Sequence, residues 1–173
     1  LTNNIVVSTV MSNYGFKQAI EKFNFDLIET PVGDKYVAEA MKKYDAALGG
    51  EQSGHIIISD LLPVGDGLVT LIYVLKAMQH FGVALSDFKK ENLYEYPQKL
   101  TNLELENKLN DEELEYINQI ALDMSIKKDL DGRYLIRNSG TEPLLRVLVE
   151  AKSNEAMEDF SNELITKINK YLN

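Results

Sequence analysis

From residue 3 to residue 82 the chain alternates short β-branched runs with stretches of helical periodicity, and this alternation restricts its fold more than any other feature. NNIVVSTV (3–10) is bounded by Asn and reads as a buried strand. NYGFKQAIEKFN (13–24) places Phe16, Ala19, Ile20 and Phe23 at helical spacing. FDLIETPVG (25–33) reads as a second strand, stopped by Pro31 and Gly33. Asp34 is expected to cap a helix over 35–44, with Val37, Ala38 and Met41 as its inner stripe. AALGGEQSGHIIISD (46–60) reads as strand, glycine-rich loop and strand. VGDGLVTLIYVLKAMQHFG (64–82) predicts a helix with Asp66 near its N-terminus and Gly82 as its stop. It is apolar almost all round and is therefore expected to be buried. Strands interleaved with helices imply an α/β domain with a mixed sheet, parallel in part.

The pattern changes near 86–110. SDFKKENLYEYPQKLTNLELENKLN is charged, weakly periodic and carries Pro97, which suits a domain boundary. The expected division is an α/β domain over 1–90, a linker over 91–103 and a small α+β domain over 104–173. In the latter, DEELEYINQIALDM (111–124) is a helix with Asp111 as its expected cap, and Leu114, Ile117, Ala121 and Met124 form one stripe. RYLIRN (133–138) and LLRVLVEA (144–151) form a hairpin. NEAMEDFSNELITKINKYL (154–172) is a final helix with Met157, Phe160, Leu164, Ile168 and Leu172 on one face.

Composition excludes several classes. The 173 residues are 45% hydrophobic and 26% charged, enough for a core, and the absence of cysteine rules out disulfides and thiolate metal sites. No apolar run approaches the ~18–20 residues of a membrane-spanning helix. The chain opens on LTNNIVVSTV, directly as a strand, without a leader pattern or an initiator Met, so it is expected to be a piece of something larger. A net charge of −9 argues against nucleic acid and against an anionic membrane as partner. Yet all three arginines, Arg133, Arg137 and Arg146, fall within fourteen residues. That local cationic spot suits a small anion, since a guanidinium fork matches phosphate or carboxylate; strand-edge solubility is the plainer alternative.

Two loops carry candidate chemistry. GGEQSGH (49–55) presents Glu51, Gln52 and Ser53 on a tight turn with His55 just beyond. A carboxylate and a hydroxyl so placed suit vicinal sugar hydroxyls, although a plain hairpin with polar tips has the same composition. RNSGTEP (137–143) combines Arg137 with the hydroxyls of Ser139 and Thr141, and Gly140 lets consecutive N–H groups form an anion nest. Glu142 would repel a dianion if it pointed inward, so it is expected to turn out and pair with a nearby Arg or cap the turn. A solvated hairpin loop explains the Gly and Pro here but not the clustered arginines. One loop suits hydroxyls and the other an anion, and a sugar phosphate has both.

Three stretches, TPVGDKYVAEAM (30–41), LGGEQSGHIIISD with GDGLVTLIYVLKAM (48–78), and GRYLIRNSGTEPLLRVLVEA (132–151), resemble the α-D-phosphohexomutase family in type and order. Family enzymes have four domains around a central cleft, and this chain resembles the third and fourth. The resemblance implies that Glu51 and Ser53, with Gln52 between them, bind sugar hydroxyls and set specificity, and that Asp34 and Lys35 lie on another cleft loop. It implies that Arg137, Asn138, Ser139, Gly140 and Thr141 form the loop holding the phosphate that is not transferred. His55 is a candidate proton carrier or a brace for the sugar loop. Asn138 departs from the Pro more common there. Gln52 is typical of the branch acting on glucosamine phosphates.

The same resemblance implies a cytoplasmic isomerase that interconverts glucosamine 6-phosphate and glucosamine 1-phosphate, on the route to cell-wall amino sugars. A phosphoserine in the first domain and Mg2+ held in the second would do the chemistry through a bisphosphate intermediate. Neither loop has an equivalent in this chain, and Asp66 in GDG (65–67) reads as a helix cap, not a metal ligand. The expected partners are a hexosamine phosphate and the missing N-terminal domains, with the fourth domain closing over the cleft. The alternatives are a phosphomannomutase or phosphoglucomutase, a non-catalytic sugar-phosphate module, and a purely structural pair of domains.

Overall fold

The structure, a computed structural model, describes residues 3–172. The chain divides into two compact units, Leu1–Glu95 and Tyr96–Asn173. In the first, strand β1 (Ile5–Thr9) leads through helix α1 (Tyr14–Lys22) to β2 (Asp26–Thr30), and α2 (Asp34–Tyr44) leads to β3 (Leu48–Gly50). β1 pairs in parallel with both β2 and β3, and β4 (Ile56–Ile58) closes the edge antiparallel to β3. The sheet order β2-β1-β3-β4 is the mixed α/β sheet expected from the alternation. Val7, Val37, Met41, Ala46 and Ile57 make its core. A Cβ on Gly49 would sit 2.4 Å from the Met41 sulfur, so only glycine lets α2 pack this closely on β3.

Asp34 does not cap α2. Gly33 is the cap residue, with φ 134°, a region open to glycine, and the helix begins one residue earlier than the sequence suggests. Asp34 is the first helical residue, and its Oδ1 accepts from the Lys35 N–H at 2.8 Å.

Helix α3 (Gly67–Phe81) begins and ends as expected. Asp66 Oδ1 accepts from the Val69 N–H at 2.8 Å, and Gly82 terminates it in the left-handed conformation. Its burial is not as expected. None of its residues is buried, and Leu68, Leu71, Ile72 and Leu75 are 52–74% exposed. An all-round apolar pattern reports only that a helix can be covered on every side; among the described residues α3 packs chiefly on β4 and the short α4 (Leu85–Asn92), where Phe81 meets Phe88 at 6.1 Å. No single described helix is long and apolar enough to cross a membrane, and α3 and α4 are bent by 77° at their junction.

The second unit is a three-stranded antiparallel sheet backed by two helices. β5 (Gln98–Glu104), α5 (Asp111–Lys128), β6 (Gly132–Asn138), β7 (Leu144–Ala151) and α6 (Asn154–Leu172) follow in order, and the sheet runs β5-β7-β6. Residues 91–103, read as a linker, hold the last residues of α4 and most of β5, which pairs along all seven residues with β7. The helical stripes meet Ile136, Leu145, Val147, Val149 and Ala151: Ile117, Ala121 and Met124 of α5, and Met157, Phe160, Leu164 and Ile168 of α6, are all buried there. The cap of α5 is Asn110, not Asp111. Its side chain accepts from the Glu113 N–H at 2.9 Å while Glu113 accepts from the Asn110 N–H at 2.8 Å, a reciprocal pair that leaves Asp111 as the first helical residue.

Candidate functional site

Two sets of side chains stand out, one in each unit. In the first, the parallel strands β1, β2 and β3 end on the same side, and loops at the carboxyl ends of parallel strands are where α/β sheets bind ligands. The loop after β3 is a tight turn: Gly54 N–H donates to Glu51 O at 3.0 Å and Glu51 N–H to His55 O at 2.9 Å. Glu51 Oε2 accepts from the Gly33 N–H at 3.0 Å, which fastens this loop to the turn between β2 and α2. Glu51 is thereby brought close to the start of α2, where Asp34 and Lys35 lie. Gln52, Ser53 and His55 are exposed at the turn. The His55 ring lies against Gly65, and its carbonyl braces Glu51.

The end of β1 and the loop after it add polar residues that the sequence analysis did not single out. Ser8, Thr9 and Ser12 are buried. The Ser8 and Ser12 hydroxyls hydrogen-bond each other, Ser8 Oγ reaches Gly50 O at 3.2 Å, and Thr30 Oγ1 donates to Ser8 O at 3.3 Å. The hydroxyls tie the ends of all three strands together. The signal was visible as a polar cluster, STVMSN, where an apolar strand gives way to a helix cap at Asn13.

In the second unit, β6 and β7 place Arg137 directly opposite Arg146. Since Leu145 and Val147 point to the helix-side core, both guanidinium groups emerge on the other face of the sheet. Like charges directly opposite are unfavourable. Burial, and then the charge of Arg146, pushes the Arg137 guanidinium down from its ordinary pKa, though it remains charged at any physiological pH. Arg137 has no carboxylate or side-chain hydrogen-bond partner among the described residues. Arg146 has only Glu142, at 3.7 Å, and its buried Nε has no partner. Glu142 has thus turned toward an arginine, as expected of it. Ser139 is 2% exposed, and its hydroxyl is unpartnered.

The three arginines do not act together. Arg133 pairs with Glu150, which is fully buried, and so belongs to the sheet and not to the loop. Arg146 takes its place beside Arg137, a partnership that only the strand register reveals. Asn138 does not offer its side chain to the loop either. Its Nδ2 donates to Leu109 O at 2.8 Å and its Oδ1 accepts from the Leu109 N–H at 3.3 Å. Gly140 and Thr141 are exposed at the tip. Among the described residues no three His, Asp or Glu side chains gather as a metal-binding set.

Residues 1–96 match the family model for phosphoglucomutase/phosphomannomutase alpha/beta/alpha domain III, and residues 100–167 match the model for the phosphoglucomutase/phosphomannomutase C-terminal domain. The chain is 46% identical over 160 residues to the phosphoglucosamine mutase of Streptococcus agalactiae serotype Ia, covering 91% of this chain and 35% of that protein. It is 42% identical over 165 residues to the phosphoglucosamine mutase of Bacillus subtilis, covering 95% of this chain and 37% of that protein. The chain therefore spans about a third of the length of these relatives. Among solved structures, the N-acetylphosphoglucosamine mutase of Aspergillus fumigatus, in complex with GlcNAc-6P and magnesium, shares the fold with a TM-score of 0.80 at 19% identity, over 99% of this chain and 40% of that one.

Proposed function

We propose, because this chain belongs to the phosphoglucomutase/phosphomannomutase family, that it is the substrate-holding part of a phosphoglucosamine mutase, an isomerase that interconverts glucosamine 6-phosphate and glucosamine 1-phosphate. Its relatives of that name, at 42–46% identity, support the amino-sugar substrate over mannose or glucose phosphates. The observation that carries the reading is the Arg137–Arg146 pair. Two facing guanidinium groups beside a buried, unpartnered serine hydroxyl form an arrangement that a phosphate dianion would satisfy.

In this reading Arg137 and Arg146 hold the phosphate that is not being transferred, with the Ser139 and Thr141 hydroxyls and the N–H groups at Gly140 and Thr141. Glu51 and Ser53 accept and donate hydrogen bonds to the sugar hydroxyls, with Gln52, Asp34 and Lys35 nearby. Glu51 is held ready by Gly33. His55 stands within the sugar loop as a brace. The reaction requires one sugar to be held in two orientations by one set of contacts, and groups that grip hydroxyls and a distal phosphate meet that requirement without making bonds. Each charge-assisted hydrogen bond contributes about 1.5–3 kcal/mol, energy that can position the reacting end. Bond-making itself is assigned to a phosphoserine and Mg2+ carried by other domains of a longer, cytoplasmic protein; Mg2+ there would neutralise charge on the transferring phosphoryl group.

The experiment is substitution of Arg137 by Ala in the complete enzyme. A raised KM for glucosamine phosphate, lowered turnover and an unchanged melting temperature are expected. Unaltered kinetics would remove the phosphate assignment.

A further inference from the structure

The tip of the phosphate loop is held from outside by a cation that the reading above does not use. Lys108, in the segment between β5 and α5, donates from Nζ to the carbonyl of Gly140 at 2.6 Å. That segment is fastened to the loop at both ends. Leu105 N–H donates to Pro143 O at 2.9 Å, and Leu109 exchanges two hydrogen bonds with the Asn138 amide at 2.8 and 3.3 Å. Residues 105–109 thus run alongside residues 138–143, and Lys108 is carried to the middle of them.

We propose that Lys108 is a positioning residue for the phosphate loop, fixing the Gly140–Thr141 peptide and adding a third positive charge beside Arg137 and Arg146; the proposal rests on that loop being a phosphate site. A glycine at an exposed tip does not fix its own peptide plane, and nothing packs within 4 Å of where a Gly140 Cβ would be. In a trans peptide the C=O and N–H point in opposite directions. Holding the Gly140 carbonyl toward Lys108 therefore turns the Thr141 N–H away from the 105–109 segment and fixes its direction. Lys108 makes no ion pair among the described residues, so its charge is uncompensated at the loop. Asn138 completes the device. A proline at that position could make neither side-chain bond to Leu109.

The test uses the 173-residue chain, unsubstituted and as Lys108→Ala, Lys108→Arg and Arg137→Ala, titrated with inorganic phosphate and with glucosamine 6-phosphate while amide shifts are followed. Lys108→Ala is expected to raise the phosphate Kd about tenfold at low salt, the size of one charge-assisted contact. It should also move the Thr141 amide resonance before any phosphate is added and flatten the salt dependence of binding. Lys108→Arg should restore most of the affinity, which a merely structural role in the exposed segment would not require. Wild-type affinity in Lys108→Ala beside lost affinity in Arg137→Ala would overturn the role of Lys108 alone. Unchanged binding in both, or no phosphate response in the unsubstituted chain, would overturn the loop assignment and this proposal together.

Discussion

Arg137 faces Arg146 across β6 and β7 with no carboxylate of its own, while Arg133, four residues earlier on the same strand, is committed to buried Glu150. The two kinds of arginine predict different losses. Arg146→Ala should weaken phosphate binding by about tenfold or more, as one charge-assisted contact disappears, and leave the fold intact; isothermal titration and thermal melting separate the two readouts. Arg133→Met should act the other way. It removes the guanidinium that pairs with the buried Glu150 carboxylate, at a cost on the order of 3–5 kcal/mol in the second unit, visible in denaturant unfolding. A third residue predicts a pH effect. Asp131 accepts hydrogen bonds from Lys152 at 3.0 Å and Tyr96 at 3.1 Å, which hold its pKa below the ordinary carboxylate range. A carboxylate depressed on folding contributes stability above its unfolded value of about 3.9, and that contribution fades as pH falls through the folded value. Asp131 is largely exposed, so Asp131→Asn should shift the acid-melting curve only slightly, and the two proteins should converge as pH falls through the lowered folded value.

Among the elements, α3 is the more apolar helix and α6 the more charged one, yet it is α6 whose surroundings cover it. No residue of α3 is buried, whereas five of α6 are. Local opening follows burial. Amide hydrogen exchange should therefore be fastest among the long helices in α3 and slowest in α6; equal protection would show that α3 is covered. The same contrast explains what could be read from sequence. The bounds of α6 and its inner face were legible because Met157, Phe160, Leu164 and Ile168 recur at one spacing against a charged opposite face. β5 was not legible because its pattern is inverted. Leu100 points outward at 48% exposure, while Lys99, on the more covered face, is paired with Glu158 at 2.6 Å and Asn162 at 3.1 Å. An inward lysine on an edge strand blunts that edge, and it also hides the strand from any hydrophobic pattern. In the candidate site, Arg137, Ser139 and Glu51 were legible as residue types in short polar loops. Arg146 was legible as one of three clustered arginines, but its place opposite Arg137 was not, because that depends on register with β6, and the place of Asn138 depends on Leu109, 29 residues away.

As a whole, the chain is two units matching the third and C-terminal domains of its family, over about a third of its relatives' length. The proposed division of labour gives these units substrate holding and gives phosphoryl transfer to other domains. The purified 173-residue chain should then show no mutase turnover in a coupled assay for glucosamine 1-phosphate, and measurable turnover would refute that division. The most direct test is binding itself. When glucosamine 6-phosphate is titrated into the isotope-labelled chain, the amides of residues 137–141 should shift with a single Kd. Shifts confined to other residues, or none at all, would contradict the reading of this loop as the holder of a substrate phosphate.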